Sequence, residues 1–317
     1  MNKKNFVQIA DKKIGPDQPV FIAAEIGINH NGSLDMVKKL IDVAVEAGAD
    51  AVKFQKRTVP IVYTEEELER PREVPESIIL NALRRRVLPE EAVRRLKSDI
   101  SNTTNGDLKY ALELTEEEYR TIDRYCQEKN ILWLASCWNE ESVDFMDKFN
   151  LPCYKIASAC LTDDGLLKHT RGKGKPIILS TGMSTMEEIE HAVKVLGADD
   201  LIILHCISTY PAQNKELNLK IIQTLQNRFP SVPIGYSGHE VGLPPSLMAV
   251  VLGAKLVERH LTLDRAMWGC DQAASVEPQG LKRLVRDIRM WEEVKGDGVK
   301  RLLDSEIPIM NKLRRKK

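Results

Sequence analysis

The stretch PIILSTGMSTMEEIEHAVKVLGADDLIILHC, residues 176–206, decides the fold. It begins with a short apolar run, continues with a helix-length pattern and ends in a second apolar run. Either Ser184 or Thr185 is the predicted N-cap, because each offers a hydroxyl just before the helical pattern begins. Near-continuous apolar strands joined by a helix indicate a parallel sheet that is buried on both faces.

The same alternation extends outward over most of the chain. Six further apolar runs are predicted strands, at residues 21–27, 51–55, 132–137, 154–158, 233–238 and 256–262. Ser33 is predicted to cap the helix after the first of them. Eight such units predict an α/β fold of the closed (β/α)8 TIM-barrel type, with an open doubly wound sheet as the alternative. That alternative usually carries a GxGxxG loop after its first strand, and EIGINHNGS lacks this spacing.

Three segments lie outside this repeat. VQIADKKIG, residues 7–15, predicts a β-hairpin that plugs the lower end of the barrel. The connection 56–130 between the second and third strands is longer than one helix requires, and almost half of residues 64–99 are charged. Its composition favours a disordered surface, whereas its place in a barrel favours a substrate lid. We predict one barrel domain over residues 1–295, with the insertion overhanging the active face, and a solvated tail over 296–317.

Composition excludes several classes of function. Lys plus Arg and Asp plus Glu number 46 each, so no global field favours nucleic acid or an anionic membrane. No apolar run approaches the roughly 20 residues of a membrane span, and the N-terminus lacks the apolar core of a secretory signal. The six cysteines form no CxxC pair. We therefore expect a cytoplasmic protein with reduced thiols and no nucleic-acid or membrane partner.

Polar residues collect at the carboxyl ends of the predicted strands, which is the face that carries the active site of a TIM barrel. Lys53 and Lys155 interrupt otherwise apolar strands, and burying them is costly unless an anion or a carboxylate pairs with them. An ion pair of Lys53 with Glu25 is one interpretation. Binding of a phosphate group is favoured, because hydroxyls stand at neighbouring strand ends. These are Ser136, Ser158 and Ser180.

Two histidines, His239 and His260, lie where the last two predicted strands end. A lone histidine is more often structural than a ligand. A pair at the mouth of a barrel indicates a divalent metal that keeps open positions for water and substrate. Imidazole nitrogen suits zinc, manganese, iron or nickel, so the residues alone leave the metal open.

Seven strings, in order along the chain, carry a resemblance to a known family: AAEIGINHNG, DAVKFQ, YKIAS, GKPIILSTGM, HCISTYPA, GYSGHEVG and ERHLTLDRAMWGCDQAASVEP. From about residue 18 to 290 the chain resembles the sialic acid (N-acetylneuraminate) synthases. The resemblance implies a transferase that joins phosphoenolpyruvate to an N-acetylated hexose-type aldehyde and releases phosphate and a sialic-acid-like nonulosonate. It also implies Mn²⁺ as the cofactor and a homodimer.

The resemblance assigns roles to individual side chains. It implies that His239 and His260 bind the manganese. Catalytic roles are implied for Glu25, Lys53, Gln55 and Lys155. Substrate-binding roles are implied for Ser136, Ser158, Ser180, Ser208, Tyr210, Asp271 and Cys160. Glu25 is the candidate for taking the proton of a reacting water, provided that it lies within hydrogen-bond reach.

Three features depart from the family pattern. Cys160 stands where members usually carry Glu or Asp, and Ser208 where they often carry Asn. We expect a short member of the family without the C-terminal antifreeze-like domain, which in other members supplies an arginine to the sugar's N-acetyl group. Arginines of the insertion are candidates to close the site instead, namely Arg57, Arg70 and Arg72. Two alternatives stay open: a synthase that uses an unacetylated or phosphorylated sugar, and a non-catalytic sugar-binding barrel.

Overall fold

A computed structural model describes residues 6–315 and shows two sheets. The first is an antiparallel hairpin of β1 (Val7–Ile9) and β2 (Lys12–Ile14). The second is a closed parallel barrel of β3 (Phe21–Gly27), β4 (Ala51–Lys56), β5 (Leu132–Cys137), β6 (Tyr154–Ile156), β7 (Ile177–Ser180), β8 (Leu201–Cys206), β9 (Ile234–Gly238) and β10 (Leu256–His260). Pairing of β10 with β3 closes the ring and sets His260 opposite Glu25. The predicted TIM barrel is confirmed.

Helices follow the barrel strands and form the outer layer. The first is α1 (Leu34–Ala47). The connection 56–130 carries α2 (Val59–Val62), α3 (Glu65–Glu69), α4 (Glu76–Arg85), α5 (Glu90–Ser98), α6 (Asn105–Leu112) and, just before β5, α7 (Glu116–Glu128). The remaining helices are α8 (Glu140–Asp147), α9 (Asp164–Gly172), α10 (Met186–Leu196), α11 (Ile221–Arg228), α12 (Pro244–Val251), α13 (Pro278–Val294) and α14 (Ile307–Leu313). Both predicted caps are present. The Ser33 hydroxyl accepts from the backbone N–H of Met36, and Thr185 does the same for Glu188.

Side chains alternate between the interior and the helix layer along each strand, as a period of two requires. In β4, Ala51 packs inside the barrel while Val52 and Phe54 pack against the helices. In β10, Leu256 faces inward and Val257 faces outward. The apolar inward positions belong to the lower half of the barrel. The next inward positions toward the carboxyl ends are polar, and these form the site.

The N-terminal hairpin supplies the floor of the barrel. Val7, Ile9 and Ile14 are buried in one cluster with inward side chains such as Phe21 and Leu256. Their burial removes apolar surface from water at the open lower end of the ring. The predicted role of residues 7–15 as a plug is confirmed.

The insertion is helical, so the expectation of a disordered surface was wrong. Apolar side chains at helical spacing form a core of their own, which composition alone did not reveal. They include Ile78, Ile79, Ala82, Leu96, Leu108 and Ala111. Ile28 after β3 and Trp268 after β10 pack against this core. The insertion therefore contacts the segments that follow β3 and β10, whereas its overhang of the active face and its action as a lid stay predictions.

The C-terminal segment departs from the barrel after α13. α14 exposes apolar side chains, among them Ile309 and Leu313. Residues 316–317 of the predicted tail lie outside the described residues. No helix within residues 6–315 is long and apolar enough to cross a membrane.

Truncation of the floor tests its contribution to stability. We expect Ile14→Ala to lower the free energy of unfolding by about 2–5 kcal/mol, because it leaves a cavity beneath the barrel. Urea denaturation followed by circular dichroism measures the change. Gln8→Ala in the same hairpin is the control, since Gln8 is exposed and should have little effect. Equal stability of Ile14→Ala and the wild type would contradict the plug.

Candidate active site

A cavity of about 610 Å³ opens at the carboxyl ends of the barrel strands. Its wall brings together predicted residues from separate strands: Glu25, Lys53, Gln55, Ser136, Lys155, Ser158, Ser180, Ser208, Tyr210, His239 and His260. The strand ends converge because parallel strands of a barrel all finish on the same face. Sequence positions more than 200 residues apart thus share one cavity.

Two predicted residues stand apart from this wall. Asp271 lies just outside it, with its Oδ2 atom 3.6 Å from Nδ1 of His260. Cys160 is not among the cavity-lining residues of the described chain, because the 3-10 turn Ser158–Cys160 directs it into the apolar layer with Leu161. The expectation that Cys160 contacts the substrate therefore has no support in its position.

Four buried charges form the base of the cavity. Lys53 Nζ lies 2.8 Å from Glu25 Oε2 and 3.6 Å from Glu258 Oε1, while Lys155 Nζ lies 3.1 Å from the same Glu258 oxygen. All four side chains are at most 4% exposed. The ion pair between Lys53 and Glu25, which the sequence left as one interpretation, is present. Two cations and two anions cancel, and this cancellation offsets the cost of removing them from water.

The environment shifts the pKa of each member of this cluster. Burial raises the pKa of Glu25 despite the nearby Lys53 ammonium, and burial lowers the pKa of Lys155. Burial also opposes ionisation of Glu258, but Lys155 and Lys53 outweigh it and lower its pKa to about 2. The two glutamates, similar in sequence, therefore differ in proton affinity because only Glu258 contacts both lysines.

Hydroxyl and amide groups surround the charges. Lys53 donates to Ser136 Oγ at 3.0 Å, Gln55 donates to Glu25 Oε1 at 2.7 Å, and Ser237 donates to Glu258 Oε1 at 3.1 Å. Ser180 Oγ and Glu258 Oε2 are buried without a hydrogen-bond partner among the described residues. Such atoms cost free energy unless a ligand or water satisfies them.

A glycine keeps the space beside these hydroxyls open. The Gly182 N–H donates to Ser158 Oγ at 2.9 Å. A Cβ at this position would come within 2.1 Å of Ser208 Oγ and 2.8 Å of Ser158 Oγ. The turn after β7 therefore packs closely against the hydroxyls of Ser158 and Ser208, and only glycine fits at position 182.

The two histidines adjoin each other on the far side of the cavity. Their ring centroids are 5.2 Å apart, and the Tyr210 ring lies 4.1 Å from that of His239. His239 Nδ1 is 2.6 Å from the Ile207 carbonyl oxygen, so Nδ1 carries a proton and Nε2 is the ring nitrogen left to bind a ligand. Burial lowers the pKa of His260 to about 3, which keeps this ring neutral, and its Nδ1 is buried with no hydrogen-bond partner within residues 6–315.

These donors fit a divalent metal. Neutral imidazole is the ligand form of histidine, and the His239 tautomer is fixed by a backbone carbonyl, as is usual for metal ligands. Within residues 6–315, no group of three or more His, Cys, Asp or Glu side chains is arranged to hold a metal ion. Any ion held by His239 and His260 would therefore share its remaining positions with water or substrate.

The sequence reasoning missed several residues of the cavity. Glu258 is the most consequential, and the signal that singled out Lys53 and Lys155 applies to it, since it is a charge inside the buried strand LVERH. Trp138, Met183 and Cys206 also line the wall. Apolar or soft side chains at strand ends carry no comparable signal, because they are equally common in cores.

Comparison with known proteins shows the family of the chain that forms this cavity. The NeuB family model matches residues 40–300, which is most of the chain. The chain belongs to the NeuB family. The resemblance to sialic acid synthases in the sequence is confirmed.

The names of several relatives of this NeuB family member state a synthase activity. The human N-acetylneuraminate-9-phosphate synthase is 38% identical over 303 residues, which are 95% of this chain and 78% of that protein. The N,N'-diacetyllegionaminic acid synthase of Legionella pneumophila is 35% identical, over 96% of this chain and 81% of that one. The crystal structure of a sialic acid synthetase from Leptospira borgpetersenii superposes with a TM-score of 0.77 at 32% identity, covering 98% of both chains.

Membership defines the class of reaction. NeuB family members are phosphoenolpyruvate-dependent nonulosonic acid synthases, transferases that form a carbon–carbon bond. The prediction of such an enzyme is confirmed, and the alternative of a non-catalytic barrel is not favoured. Membership leaves the roles of the site residues as predictions.

The coupling within the charge cluster can be measured. We expect Lys155→Met to lower the free energy of unfolding by about 3–5 kcal/mol, because it leaves the buried Glu258 with only the more distant Lys53. Glu258→Gln should also destabilise. The double variant should lose less than the sum of the single losses, which urea denaturation measures in a double-mutant cycle.

The exposed pair Lys148 and Glu116, 2.8 Å apart, is the control for this cycle. It should show no coupling beyond experimental error, because solvent screens surface ion pairs. Strict additivity of Lys155→Met and Glu258→Gln would show that the pair does not act as a unit.

Proposed function

We propose that this NeuB family member joins phosphoenolpyruvate to an N-acetylated hexose-type aldehyde with the help of a divalent metal, most simply Mn²⁺. The products are a sialic-acid-like nonulosonate and phosphate. One observation carries the proposal: two lysines, the Ser180 hydroxyl, which has no hydrogen-bond partner among the described residues, and two adjacent histidines line one cavity. The human and Legionella relatives, whose names denote synthases of acetylated products, support the acetylated acceptor.

Phosphoenolpyruvate is proposed to bind on the lysine side. Its phosphate and carboxylate need cationic or hydroxyl donors, and the wall offers Lys53, Lys155 and Ser180. Ammonium groups fixed in a buried site stabilise negative charge without reorganisation during the reaction. The free Ser180 Oγ becomes satisfied when an anion oxygen accepts its proton.

The aldehyde is proposed to bind on the histidine side. His239 and His260 would hold the metal, which polarises the aldehyde oxygen when bound. Tyr210 packs against both histidine rings and therefore shapes this end of the cavity. The tyrosine is 43% exposed, so it stands at the mouth where the rest of the sugar would extend.

The chemistry proceeds by one addition and one displacement. C3 of phosphoenolpyruvate attacks the aldehyde carbon and forms the new carbon–carbon bond. The C2–C3 double bond supplies the electron pair of this bond, so C2 becomes a cation stabilised by its oxygen substituent, and the aldehyde oxygen takes up a proton and becomes a hydroxyl. Water then adds at C2 and passes one proton to Glu25. As the bond from C2 to the phosphate oxygen breaks, the new C2 hydroxyl gives up its proton and becomes the ketone, and phosphate leaves; the two protons lost by water equal those gained by the aldehyde oxygen and the phosphate. Glu25 suits this role because burial raises its pKa, which brings it nearer to the value that a general base needs. Gln55, which donates to Glu25 Oε1, holds the carboxylate in position.

Arg57 favours a second candidate, an acceptor that carries an acidic group such as phosphate. Its guanidinium stacks on Trp138 of the cavity wall at 4.4 Å and donates to Gln55. The residue is buried, and its Nε atom has no hydrogen-bond partner among the described residues. Arg70 is exposed and Arg72 donates to Asn105, so Arg57 is the arginine of the three that reaches the wall. The human relative's name includes a phosphorylated product.

A coupled assay tests the proposed reaction. Protein stripped of metal is mixed with phosphoenolpyruvate, Mn²⁺ and single acceptors: N-acetylmannosamine, its 6-phosphate, diacetamido deoxy sugars, mannose or arabinose 5-phosphate. We expect phosphate release that requires both metal and an acetylated hexose, with a product identified by mass spectrometry. His239→Ala should abolish phosphate release, and added Mn²⁺ should not restore it.

Turnover with an unacetylated sugar alone would contradict the acetylated acceptor and identify a different ulosonate synthase. Equal rates with and without chelator would contradict the metal. A cytoplasmic location, which was expected from the apolar pattern of the sequence, and a homodimer, which the resemblance implies, both stay predictions.

The two acceptor candidates separate at Arg57. If the acceptor is phosphorylated, Arg57→Ala should raise its KM about 10- to 100-fold, the cost of a lost charge-assisted hydrogen bond of about 1.5–3 kcal/mol. The KM for phosphoenolpyruvate should change little. Arg70→Ala is the matched control, because it removes the same group from an exposed site. An unchanged acceptor KM in Arg57→Ala would favour the neutral sugar.

A further inference from the structure

A second buried ion pair, Glu240 with Arg259, lies outside the cavity, between the barrel and its helix layer. The two side chains are 0% and 1% exposed. Each adjoins a histidine of the proposed metal site in sequence, because Glu240 follows His239 and Arg259 precedes His260. Alternation along β10 sends His260 inward and Arg259 outward.

The guanidinium of Arg259 fastens the loop after β9 to β10. Its Nη1 donates to Glu240 Oε1 and to the Gly242 carbonyl, both at 2.9 Å, and its Nη2 donates to the Glu240 carbonyl at 2.7 Å. Two of these acceptors are backbone atoms of the loop that begins at His239. The loop lies beyond the last residue of β9, and besides this guanidinium its backbone is held by a β-bridge to Ala212, whose N–H donates to the His239 carbonyl at 3.0 Å.

The carboxylate of Glu240 is held on all sides. Oε2 accepts from the Tyr236 hydroxyl at 2.8 Å, and Oε1 accepts from Ser246 Oγ at 3.0 Å as well as from Arg259. Tyr236 belongs to β9, Ser246 to α12 and Arg259 to β10, so the carboxylate joins three elements. Buried ion pairs are on average no more stabilising than apolar side chains of similar volume, so overall stability is a weak reason for this network.

Gly238 makes room for the network and lies opposite Arg259 in the strand register. A Cβ on it would come within 2.6 Å of Glu240 Oε2, 2.7 Å of Tyr236 Cε1 and 3.0 Å of Arg259 Cδ. Three successive residues therefore have linked roles: Gly238 leaves space for the ion pair, His239 is a proposed metal ligand, and Glu240 supplies the carboxylate of the pair.

We propose that the Glu240–Arg259 pair is a positioning device that fixes His239 relative to His260 and thereby sets the affinity for the divalent metal. The inference rests on the proposed metal-dependent function. Neither side chain touches the substrate or the metal; both act through the backbone that carries the histidines. Outer contacts that orient metal ligands typically change metal affinity 10- to 100-fold when they are removed.

The test measures Mn²⁺ binding directly, by calorimetry on metal-free folded protein. Arg259→Met and Glu240→Gln should each weaken Mn²⁺ binding about 10- to 100-fold. Arg259→Lys, which keeps the charge, should fall between these variants and the wild type. In Glu240→Met/Arg259→Met, stability should recover relative to the single variants, whereas Mn²⁺ affinity should stay low.

Arg85→Met is the matched control. Arg85 forms a bidentate pair with Glu118 at 2.7 and 2.8 Å, also largely buried but remote from the histidines. Arg85→Met should reduce stability and leave the Mn²⁺ affinity unchanged. If Arg259→Met does not fold, Glu240→Gln and Arg259→Lys still report on the affinity.

Two results overturn the inference in distinguishable ways. Mn²⁺ affinity within twofold of the wild type in folded Glu240→Gln and Arg259→Lys would reduce the pair to a structural role and leave the proposed function intact. Absence of Mn²⁺ binding by the wild type, with phosphate release undiminished by chelator, would remove the metal itself and this inference with it.

Discussion

The site depends on cancellation of charge among Glu25, Lys53, Lys155 and Glu258. Any one of these side chains, buried alone, would cost several kcal/mol or would give up its charge. They come from β3, β4, β6 and β10, and β10 meets β3 only where the barrel closes. The cluster can therefore form only in the closed ring, so the same event that completes the fold also completes the cavity floor.

Strand β10 links the chemistry of the interior to the packing of the outer layer. Glu258 and His260 point into the barrel, and Arg259 between them points into the helix layer. Alternation gives each residue a different surrounding although the three are adjacent in sequence. A substitution of Arg259 on the outer face can therefore displace Glu258 and His260 on the inner face without contacting them, because all three side chains are attached to the same short stretch of backbone.

The fold could be read from sequence because its signals are local. Apolar runs, hydroxyl caps such as Ser33 and Thr185 and the hairpin pattern all lie within a few residues of the structure that they specify. The site was read less completely. Glu258 carried the same local signal as the two lysines, a charge inside an apolar strand, but its pairing with Lys155 and Lys53, about 100 and 200 residues away, could not be predicted from sequence. Cys160 was misplaced because a 3-10 turn rotates it away from the cavity. The insertion is ordered because its helices share an apolar core, and its high content of charged residues gave no indication of that core.

The balance of charge also limits how the cavity can receive an anion. With two ammonium groups already neutralised by two carboxylates, an incoming phosphate and carboxylate would make the base of the cavity negative. Glu258 resists protonation because both lysines contact it, and its pKa is held near 2. Glu25 contacts only Lys53, and burial has already raised its pKa. Added negative charge raises it further. Glu25 is thus the member of the cluster whose proton affinity rises when an anion binds, and while it is ionised it is the carboxylate best suited to accept the proton of the reacting water in the proposed mechanism.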